Sequence, residues 1–293
     1  MLKIIDYIQL IRIKQWYKNI VVFLPIFFVG EFFSSTLLLQ VFLGFIALSF
    51  MSSVNYVIND FLDIKRDKKH PEKKERPLAS GRISVFEAII VAIILFGLSI
   101  IISLELGVMF LICVLVLFGL TLLYSIYLKK EAVADVIAIA LNFVVRAISG
   151  TFIINVFISP WLIVCPFFLA LFLAVGKREA DLRFLKGSAL QHKEVLKYYT
   201  IEMTSTLMVI STTCLIISYS LYSFSKTSKL LLTLPFAIYA IFRYYYLIQS
   251  GSEIARHPEK MYKDIRLIIC GICLILLFFL ISYANIPGLI NFI

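Results

Sequence analysis

The chain has 293 residues, of which 61% are hydrophobic and only 16% are charged, and its mean hydropathy is +0.96. Soluble domains carry about a quarter charged residues, so this composition excludes an ordinary soluble protein and predicts a membrane protein. The net charge of +10 favours an anionic leaflet or an anionic substrate as the partner and disfavours nucleic acid.

Apolar windows separated by polar segments predict nine membrane-spanning helices, because a hydrocarbon core of about 30 Å takes roughly 20 apolar residues per helical crossing. The first window contains Pro25 and Glu31 and has the weakest signal. We therefore expect an all-α, polytopic bundle that forms a single integral membrane domain. The predicted spans are 19–34, 39–60, 85–103, 107–127, 133–154, 160–178, 200–222, 228–248 and 265–285.

The basic residues are concentrated between alternate spans. Of the 28 Lys and Arg residues, 24 lie before the first span or in segments 61–84, 128–132, 177–199 and 249–266. Cytoplasmic segments carry the excess of positive charge, so we expect a cytoplasmic N-terminus, an external C-terminus and a multi-pass protein of the cell membrane. Residues 1–18, with apolar side chains at positions 4, 5, 8 and 11, predict a helix that lies in the membrane interface.

An acidic group ends the second predicted span. Asn59, Asp63 and Asp67 follow one another at i, i+4 and i+8, and Asp60 lies three residues before Asp63. If the helix continues that far, all four side chains project from a similar side. Oxygen ligands of this kind suit Mg²⁺, which shares itself with substrate phosphates. The pattern predicts a magnesium and diphosphate site.

Basic residues follow these carboxylates in the segment 61–84, which we expect to be a cytoplasmic active-site loop. Lys73, Lys74 and Arg76 supply donors for phosphate. The competing interpretation is a solvated charged loop, which explains the lysines but not carboxylates at helical spacing.

A second polar cluster follows the predicted span 160–178, in a segment 177–199 that we also expect to be an active-site loop. Lys177 and Asp181 lie at i, i+4, and Arg178 and Asp181 at i, i+3. A transporter loop or ion-paired helix ends could carry the same pattern. Arg146 lies inside a span, where an arginine is costly and faces a partner or a polar cavity; a structural ion pair is the alternative.

The segment "NDFLDIKRDKKHPEKKERPLASG" resembles the first aspartate-rich motif of the UbiA superfamily of intramembrane prenyltransferases. Further motifs resemble one branch, the decaprenyl-phosphate phosphoribosyltransferases, and together they cover about residues 10–200. These motifs are RxxQWxKN at Arg12 to Asn19, HPxKxxRPxASG at His70 to Gly81, YSxxLK at Tyr124 to Lys129, DV at Asp135, RAxxG at Arg146 to Gly150 and GKRxxE from Gly176.

The resemblance implies nine helices around a cavity open to lipid, with both polar clusters at its cytoplasmic mouth. It implies that a polyprenyl, decaprenyl-like phosphate accepts 5-phosphoribose from 5-phosphoribosyl 1-diphosphate, and that the product enters cell wall biogenesis. Mg²⁺ held by Asp60, Asp63 and Asp67, oriented with Asn59, would stabilise the leaving diphosphate. The substrate-binding residues implied are Lys18, Lys73, Arg76, Tyr124, Arg146, Lys177, Arg178 and Asp181.

The chain departs from the ordinary superfamily member at its second motif. Lys177 and Arg178 stand where that member has an aspartate, and Asp181 stands where the branch usually has Glu. The local charge becomes largely cationic, which suits direct phosphate binding. Two alternatives stay open: a UbiA-type enzyme that moves a prenyl group from its diphosphate to an aromatic acceptor, and a non-enzymatic polyprenyl-phosphate carrier. The sequence leaves the oligomeric state open.

Overall fold

The computed structural model describes residues 2–69, 73–185 and 194–283, and these residues form helices and connecting turns without a strand. Eight segments of this described part are long and apolar enough to cross a membrane, which confirms the all-α, polytopic prediction. Seven of the crossings are single helices: α3 (Ser35–Asp67), α4 (Val85–Leu106), α5 (Val108–Ile126), α6 (Ala134–Ile153), α7 (Pro160–Leu185), α8 (Ile201–Lys226) and α11 (Ile265–Tyr283). In the eighth, the 3-10 helix Ser228–Thr233 leads into α9 (Leu234–Gln249).

The shorter elements connect or flank these crossings. They are α1 (Leu2–Leu10), α2 (Leu24–Val29), α10 (Glu253–Arg256) and the 3-10 helices Ile13–Phe23, Lys73–Glu75, Leu128–Lys130, Glu194–Tyr198 and Pro258–Lys263.

Local sequence signals set several helix ends. Ser84 and Glu87 form a capping box at the start of α4, in which each side chain bonds the other residue's backbone N–H. Gly107, at φ 117, separates α4 from α5 in a conformation that L side chains rarely adopt. The Thr200 side chain caps α8 by accepting from the Met203 N–H.

The first predicted span, 19–34, is not one long helix. The 3-10 helix Ile13–Phe23 is followed by the six-residue α2, which has Pro25 in its first turn and ends at Gly30 with φ 90. A proline fits the start of a helix but not its interior, because its ring displaces the preceding turn. Residues 13–29 therefore form two short helices instead of one long one.

This segment nevertheless runs alongside α3 in the opposite direction. Trp16 Nε1 donates to Ser53 Oγ at 3.0 Å, and Asn19 Nδ2 donates to Ser49 Oγ at 3.0 Å, so the partner number on α3 falls as the chain advances. At about 2.0 Å per 3-10 residue and 1.5 Å per α-helical residue, the segment is about 30 Å long, which matches a bilayer core. Residues 13–29, called the crossing segment below, are therefore long enough for the ninth predicted crossing, which stays a prediction beside the eight apolar segments found in the described residues.

The predicted interfacial helix 1–18 is shorter than expected. Helix α1 ends at Leu10, and Arg12 adopts a left-handed conformation with φ 52. Its apolar face stays exposed, with Ile4 64% and Ile8 43% accessible, as an interfacial helix requires. Lys18 therefore lies in the crossing segment instead of on the interfacial helix.

Two other helices extend further than the predicted spans. Helix α3 continues to Asp67 and α7 to Leu185. The first residues of the predicted loops 61–84 and 177–199 are therefore helical, and residues 70–72 and 186–193 lie outside the described residues.

The chain divides into two compact units. The first comprises Met1–Lys129 with Leu141–Ile158, and its core packs α3 against α5 and the crossing segment through residues such as Leu48, Met51 and Phe110. The second comprises Lys130–Ala140 with Ser159–Ile293. Its core packs α7 against α8 and α9 through Phe172, Met208, Tyr244 and Ile248.

Two motif glycines allow close packing inside these units. A Cβ at Gly150 would collide with the backbone carbonyl of Val22, so this glycine lets α6 approach the crossing segment. A Cβ at Gly176 would lie 2.7 Å from Ile248 Cδ1 and 3.3 Å from the Tyr244 ring. These contacts give the glycines of the RAxxG and GKRxxE motifs a structural reason.

Candidate active site

The last turns of α3 carry the acidic group, as the helical spacing predicted. Arg76 Nη1 joins two of the carboxylates, at 3.0 Å from Asp60 Oδ1 and 2.6 Å from Asp67 Oδ2. Arg12 also donates to Asp60 Oδ1 through Nη2, and its guanidinium stacks over the Tyr56 ring at 4.8 Å. Burial lowers the pKa of Arg12, whereas the nearby Asp60 acts in the opposite direction.

The other two acidic-group residues share a lysine. Lys129 Nζ lies 3.1 Å from Asp63 Oδ2 and 3.4 Å from Asn59 Oδ1. Arg66, one turn further along α3, adds a contact of 2.8 Å to the same Asp63 oxygen. The four side chains therefore form two pairs, Asp60 with Asp67 and Asn59 with Asp63, each neutralised by protein cations.

The carboxylates fit a magnesium site in which the protein supplies only part of the ligands. Asp67 is 1% exposed, and its Oδ1 has no hydrogen-bond partner among the described residues. Within that part of the chain, no three His, Cys, Asp or Glu side chains are grouped so as to hold a metal ion. Mg²⁺ is bound by one or two carboxylates together with substrate phosphates and water, so Asp60 and Asp67 suffice. The three-aspartate metal site stays a prediction.

The basic segment after α3 lies beside these carboxylates. Lys73 begins a short 3-10 helix, and burial, followed by repulsion from Arg76, lowers its pKa. Arg82 ties this segment to the N-terminal helix, because its Nη1 donates to Asp6 Oδ1 at 2.7 Å. The predicted ordered basic loop is therefore present at Lys73 and Arg76; His70 lies outside the described residues.

Arg146 is buried in the first unit, with hydrogen bonds but no carboxylate partner among the described residues. Its Nε donates to Asn19 Oδ1 at 2.7 Å and its Nη1 to the Asn142 carbonyl at 3.0 Å. The described residues therefore give no support to the alternative of a structural ion pair.

A second cationic side chain lies close to Arg146. The charges of Lys18 and Arg146 both act on the Tyr56 hydroxyl. Lys18 and Arg146, both predicted as substrate-binding residues, are thus brought to one tyrosine. Tyr124, predicted from its motif, lies half-buried in the last turns of α5.

The second predicted cluster occupies α7 in the other unit. Arg178 Nε lies 2.8 Å from Asp135 Oδ2, and the Tyr199 hydroxyl donates to Asp135 Oδ1 at 2.6 Å. That hydroxyl also accepts from the Val133 N–H at 2.8 Å. Burial and the hydrogen bond to Asp135 raise the pKa of Tyr199, which keeps it protonated as a donor at neutral pH.

Asp181 pairs with a residue that the sequence did not indicate. Arg256 Nε lies 3.4 Å from Asp181 Oδ1, and its guanidinium stacks on the Phe184 ring at 4.0 Å. Lys177 precedes Arg178 on α7 and is half-buried. These residues are called the α7 cluster below: Lys177, Arg178 and Asp181 of α7 with Asp135, Tyr199 and Arg256. The cluster contains both predicted basic residues, and each of its two carboxylates is bound to an arginine.

Sequence reasoning missed Glu179, which follows Arg178 on α7 and is fully buried. Its Oε1 accepts from Arg183 Nη2 at 2.8 Å, Gln249 Nε2 at 2.9 Å and Ser205 Oγ at 3.1 Å. Only Arg183 lies at helical spacing from Glu179, so the sequence held no further signal. Arg12, Lys129 and Asp135 stood in recognised motifs without an assigned role, and Tyr199 and Arg256 carried no signal.

Sequence comparison relates the chain to known proteins. The model of the UbiA prenyltransferase family matches residues 20–262. The decaprenyl-phosphate phosphoribosyltransferase of Mycolicibacterium smegmatis is 31% identical over 272 residues, which cover 87% of this chain and 85% of that protein. The enzyme of the same name from Mycobacterium tuberculosis is 28% identical over 263 residues, covering 87% and 86%.

Solved structures share the fold. A UbiA homologue from Archaeoglobus fulgidus, bound to GPP and Mg²⁺, has a TM-score of 0.71 at 22% identity, covering 93% of this chain and 96% of that one. The same homologue has also been solved with Cd²⁺. A structure described for digeranylgeranylglyceryl phosphate synthase has a TM-score of 0.68 at 19% identity and covers 96% and 99%. The chain is a member of the UbiA prenyltransferase family.

Proposed function

We propose that the protein transfers 5-phosphoribose from 5-phosphoribosyl 1-diphosphate to a polyprenyl phosphate and releases diphosphate. A phosphate oxygen of the lipid forms a bond to the anomeric carbon while the bond from that carbon to the diphosphate breaks. A phosphate monoester is largely ionised at neutral pH, with a second pKa of about 6, so the nucleophile needs no general base.

The acidic end of α3 is the observation that carries this proposal. Arg12, Arg76 and Lys129 come from three different segments and converge on carboxylates that one helix presents. Such a mixed cluster can exchange its internal pairs for a diphosphate and its counter-ion. Asp67 Oδ1 is buried and has no hydrogen-bond partner within the described residues, so a cation bound there would stabilise it most.

The residues of the first unit would then have separate roles in binding the metal ion and the donor. Asp60, Asp63 and Asp67, oriented with Asn59, would hold Mg²⁺, which when bound stabilises the leaving diphosphate as a Lewis acid. Lys73 and Arg76 would bind the donor phosphates. Positive, oxocarbenium-like charge develops on the ribose as the diphosphate leaves, and the nearby carboxylates favour that charge.

The lipid phosphate would be held by Lys18 and Arg146. Both cations act on the Tyr56 hydroxyl, and Arg146 is oriented by the Asn19 amide instead of being neutralised by a carboxylate. A cation without an acidic partner within the described residues can attract an anion at membrane depth, where the low dielectric strengthens the interaction.

The cationic α7 cluster favours this donor over a prenyl diphosphate. Lys177 and Arg178 replace an acidic residue of the ordinary family pattern, and Asp135 orients the Arg178 guanidinium. We assign these two cations to the 5-phosphate of the donor or to the acceptor, with Asp181 as a further contact. The relatives named decaprenyl-phosphate phosphoribosyltransferase, similar over 87% of the chain, support the same substrates. The basic segments favour a cytoplasmic site in the cell membrane.

Purified protein in detergent tests the proposal directly. It would be incubated with Mg²⁺, a polyprenyl phosphate and 5-phosphoribosyl 1-diphosphate, and diphosphate release and the mass of the lipid product would be measured. We expect a phosphoribosylated lipid that is not formed in EDTA. Absence of this product, together with prenylation of an aromatic acceptor from a prenyl diphosphate, would establish the ordinary family reaction instead. Lipid binding without turnover of either donor would indicate a carrier.

A further inference from the structure

The polar face of helix α3 that carries Asn59 continues to two residues, Ser52 and Asn55, that the proposed function does not use. Ser52 and Asn55 precede Asn59 at i−7 and i−4, so the three side chains lie on one face of the helix. Asn55 lies about 6 Å along the helix axis from Asn59 and about 12 Å from Asp63, at 1.5 Å per residue. The stripe therefore extends the acidic end of α3 towards the membrane interior.

The two deeper members of this stripe, Ser52 and Asn55, are buried. Asn55 is 2% exposed and Ser52 is 9% exposed. Within the described residues, neither the amide nitrogen nor the amide oxygen of Asn55 has a hydrogen bond, and neither has the Ser52 hydroxyl. A buried amide without a hydrogen bond is unfavourable, because the loss of its hydration is not compensated, so a polar ligand is expected to satisfy it.

The neighbouring stripe of the same helix gives the contrast. Ser49 and Ser53, also on α3, are both bonded to side chains of the crossing segment, Asn19 and Trp16. Buried polar residues on that face are thus satisfied by the protein itself. On α3, the buried side-chain atoms without a hydrogen bond among the described residues belong to Ser52, Asn55 and Asp67, which share the face of Asn59 and Asp63.

The chemistry of an amide selects between the groups that the proposed substrates offer. Ionised phosphates only accept hydrogen bonds, so they can satisfy Asn55 Nδ2 but not Asn55 Oδ1. The oxygen needs a donor, and the hydroxyls of the ribose ring are the only groups of the two substrates that both donate and accept. A vicinal diol matches a carboxamide with both of its atoms unpaired.

We infer that Asn55, assisted by Ser52, binds the ribose hydroxyls of the donor and sets the enzyme's preference for ribose over deoxyribose. This assignment rests on the proposed function, because it takes the pentose from that reaction. A site that hydrogen-bonds a substrate hydroxyl rejects the analogue that lacks it, since its own polar groups are then left buried and unpaired.

A comparison of ribose and deoxyribose substrates tests the assignment. The values of kcat/KM for 5-phosphoribosyl 1-diphosphate and for its 2-deoxy and 3-deoxy analogues would be measured with the wild-type protein and with Asn55→Leu, which has a similar shape and no polar atoms. We expect the wild type to prefer the ribose donor over at least one deoxy donor by about tenfold or more. Asn55→Leu should lose most of that preference, through a lower value for ribose and a nearly unchanged one for the deoxy donor.

A matched control and a binding measurement distinguish the loss of ribose recognition from a structural effect of the substitution. Ser103→Ala removes another buried hydroxyl, one that bonds the Ser99 carbonyl of its own helix, and should leave the preference intact. Inhibition by ribose 5-phosphate and by 2-deoxyribose 5-phosphate gives the same comparison if Asn55→Leu turns over too slowly, provided that it still binds either compound.

Four results would overturn the inference. An equal fall in kcat/KM for all donors in Asn55→Leu would mean a structural role, and unchanged kcat/KM values for all donors would mean that water satisfies the amide. A wild type that transfers prenyl groups but no phosphoribose would overturn the proposed function and this assignment together, whereas phosphoribosyl transfer without a ribose preference would overturn this assignment alone.

Discussion

The two polar clusters use the same residue types in different ways. At the end of α3, Arg76 is shared between Asp60 and Asp67, and one oxygen of Asp67 has no partner within the described residues. In the α7 cluster, the fully buried Asp135, which lies at the start of α6, is bonded to Arg178 of α7 at one oxygen and to Tyr199 at the other. The α3 cluster, which comprises Asn59, Asp60, Asp63 and Asp67 with their basic partners, is therefore suited to exchange those partners for a ligand. The contacts around Asp135 are instead suited to hold one arrangement of the side chains.

The comparison gives the two clusters different roles. Arg12 is 22% and Arg76 26% exposed in the α3 cluster, whereas the side chains of Arg178 and Asp135 are 6% and 0% exposed. A buried pair that loses one partner leaves an uncompensated charge. We therefore expect substitutions on α3 to act mainly on turnover and substitutions at Asp135 to act mainly on stability.

The largest expected effect is on turnover, in Asp63→Asn. Loss of this charge leaves Lys129 without its carboxylate and weakens the proposed hold on the leaving diphosphate. We expect the rate of phosphoribosyl transfer to fall about 100- to 1000-fold, the range seen when one electrostatic transition-state contact is removed. The measurement is diphosphate release under saturating substrates. Glu105→Gln, which makes the same charge change at an exposed position of α4, is the control, and an Asp63→Asn rate within threefold of wild type would contradict the assignment.

The next effect is on stability, in Asp135→Asn. The substitution leaves the Arg178 guanidinium buried without its counter-charge, which costs about 3 kcal/mol. Denaturant unfolding in detergent micelles should show this loss, and Asp63→Asn should lose less than half as much. Adding Arg178→Gln to Asp135→Asn should restore part of the stability, because the unpaired charge is then removed. Equal losses for Asp63→Asn and Asp135→Asn would mean that the clusters do not differ as described.

A smaller loss is expected from Gly150→Ala. The new Cβ collides with the Val22 carbonyl, and the segment that it displaces leads back to Arg12 at the α3 cluster. Overpacking of this kind costs typically 1–3 kcal/mol, and turnover should fall with it. Gly97→Ala is the matched control, because nothing lies within 4 Å of a Cβ there. A Gly150→Ala protein as stable and active as Gly97→Ala would show that the close approach is not needed.

The smallest effect is expected from Tyr199→Phe, which removes two hydrogen bonds around Asp135 and should cost about 1–2 kcal/mol. The pKa of Tyr199 is raised in the folded protein, so its contribution is present in full below the ordinary tyrosine value of about 10. It is lost as the pH rises through the folded value. The stability difference between wild type and Tyr199→Phe should therefore be constant from pH 6 to pH 9. A difference that changes within this range would contradict the proposed protonated donor.

The sequence predicted the features that depend on local spacing. The continuation of α3 to Asp67 follows from carboxylates at i, i+4 and i+8 on an apolar helix. The path of residues 13–29 was harder to predict, because Pro25 interrupts the α-helical pattern and the preceding 3-10 helix has 3.0 instead of 3.6 residues per turn. The sequence predicted nine spans, whereas eight segments of the described residues are long and apolar enough to cross a membrane; the ninth, predicted at 19–34, stays a prediction.

The contacts that define the two clusters depend on residues far apart in sequence. Asp135 and Tyr199 are 64 residues apart, and Glu179 and Gln249 are 70 apart. Nothing in one sequence records such a pairing, since a buried carboxylate and an exposed one look alike until their neighbours are known. The unpaired atoms of Asn55 and Asp67 are likewise visible only in the fold.

Equilibrium binding of labelled diphosphate, with and without Mg²⁺, tests most directly whether the α3 cluster is the ligand site. The account predicts Mg²⁺-dependent binding in the wild type, loss of the Mg²⁺-dependent part in Asp63→Asn, and its retention in Tyr199→Phe. Undiminished Mg²⁺-dependent binding in Asp63→Asn, with loss in Tyr199→Phe, would contradict the account and move the diphosphate to the α7 cluster.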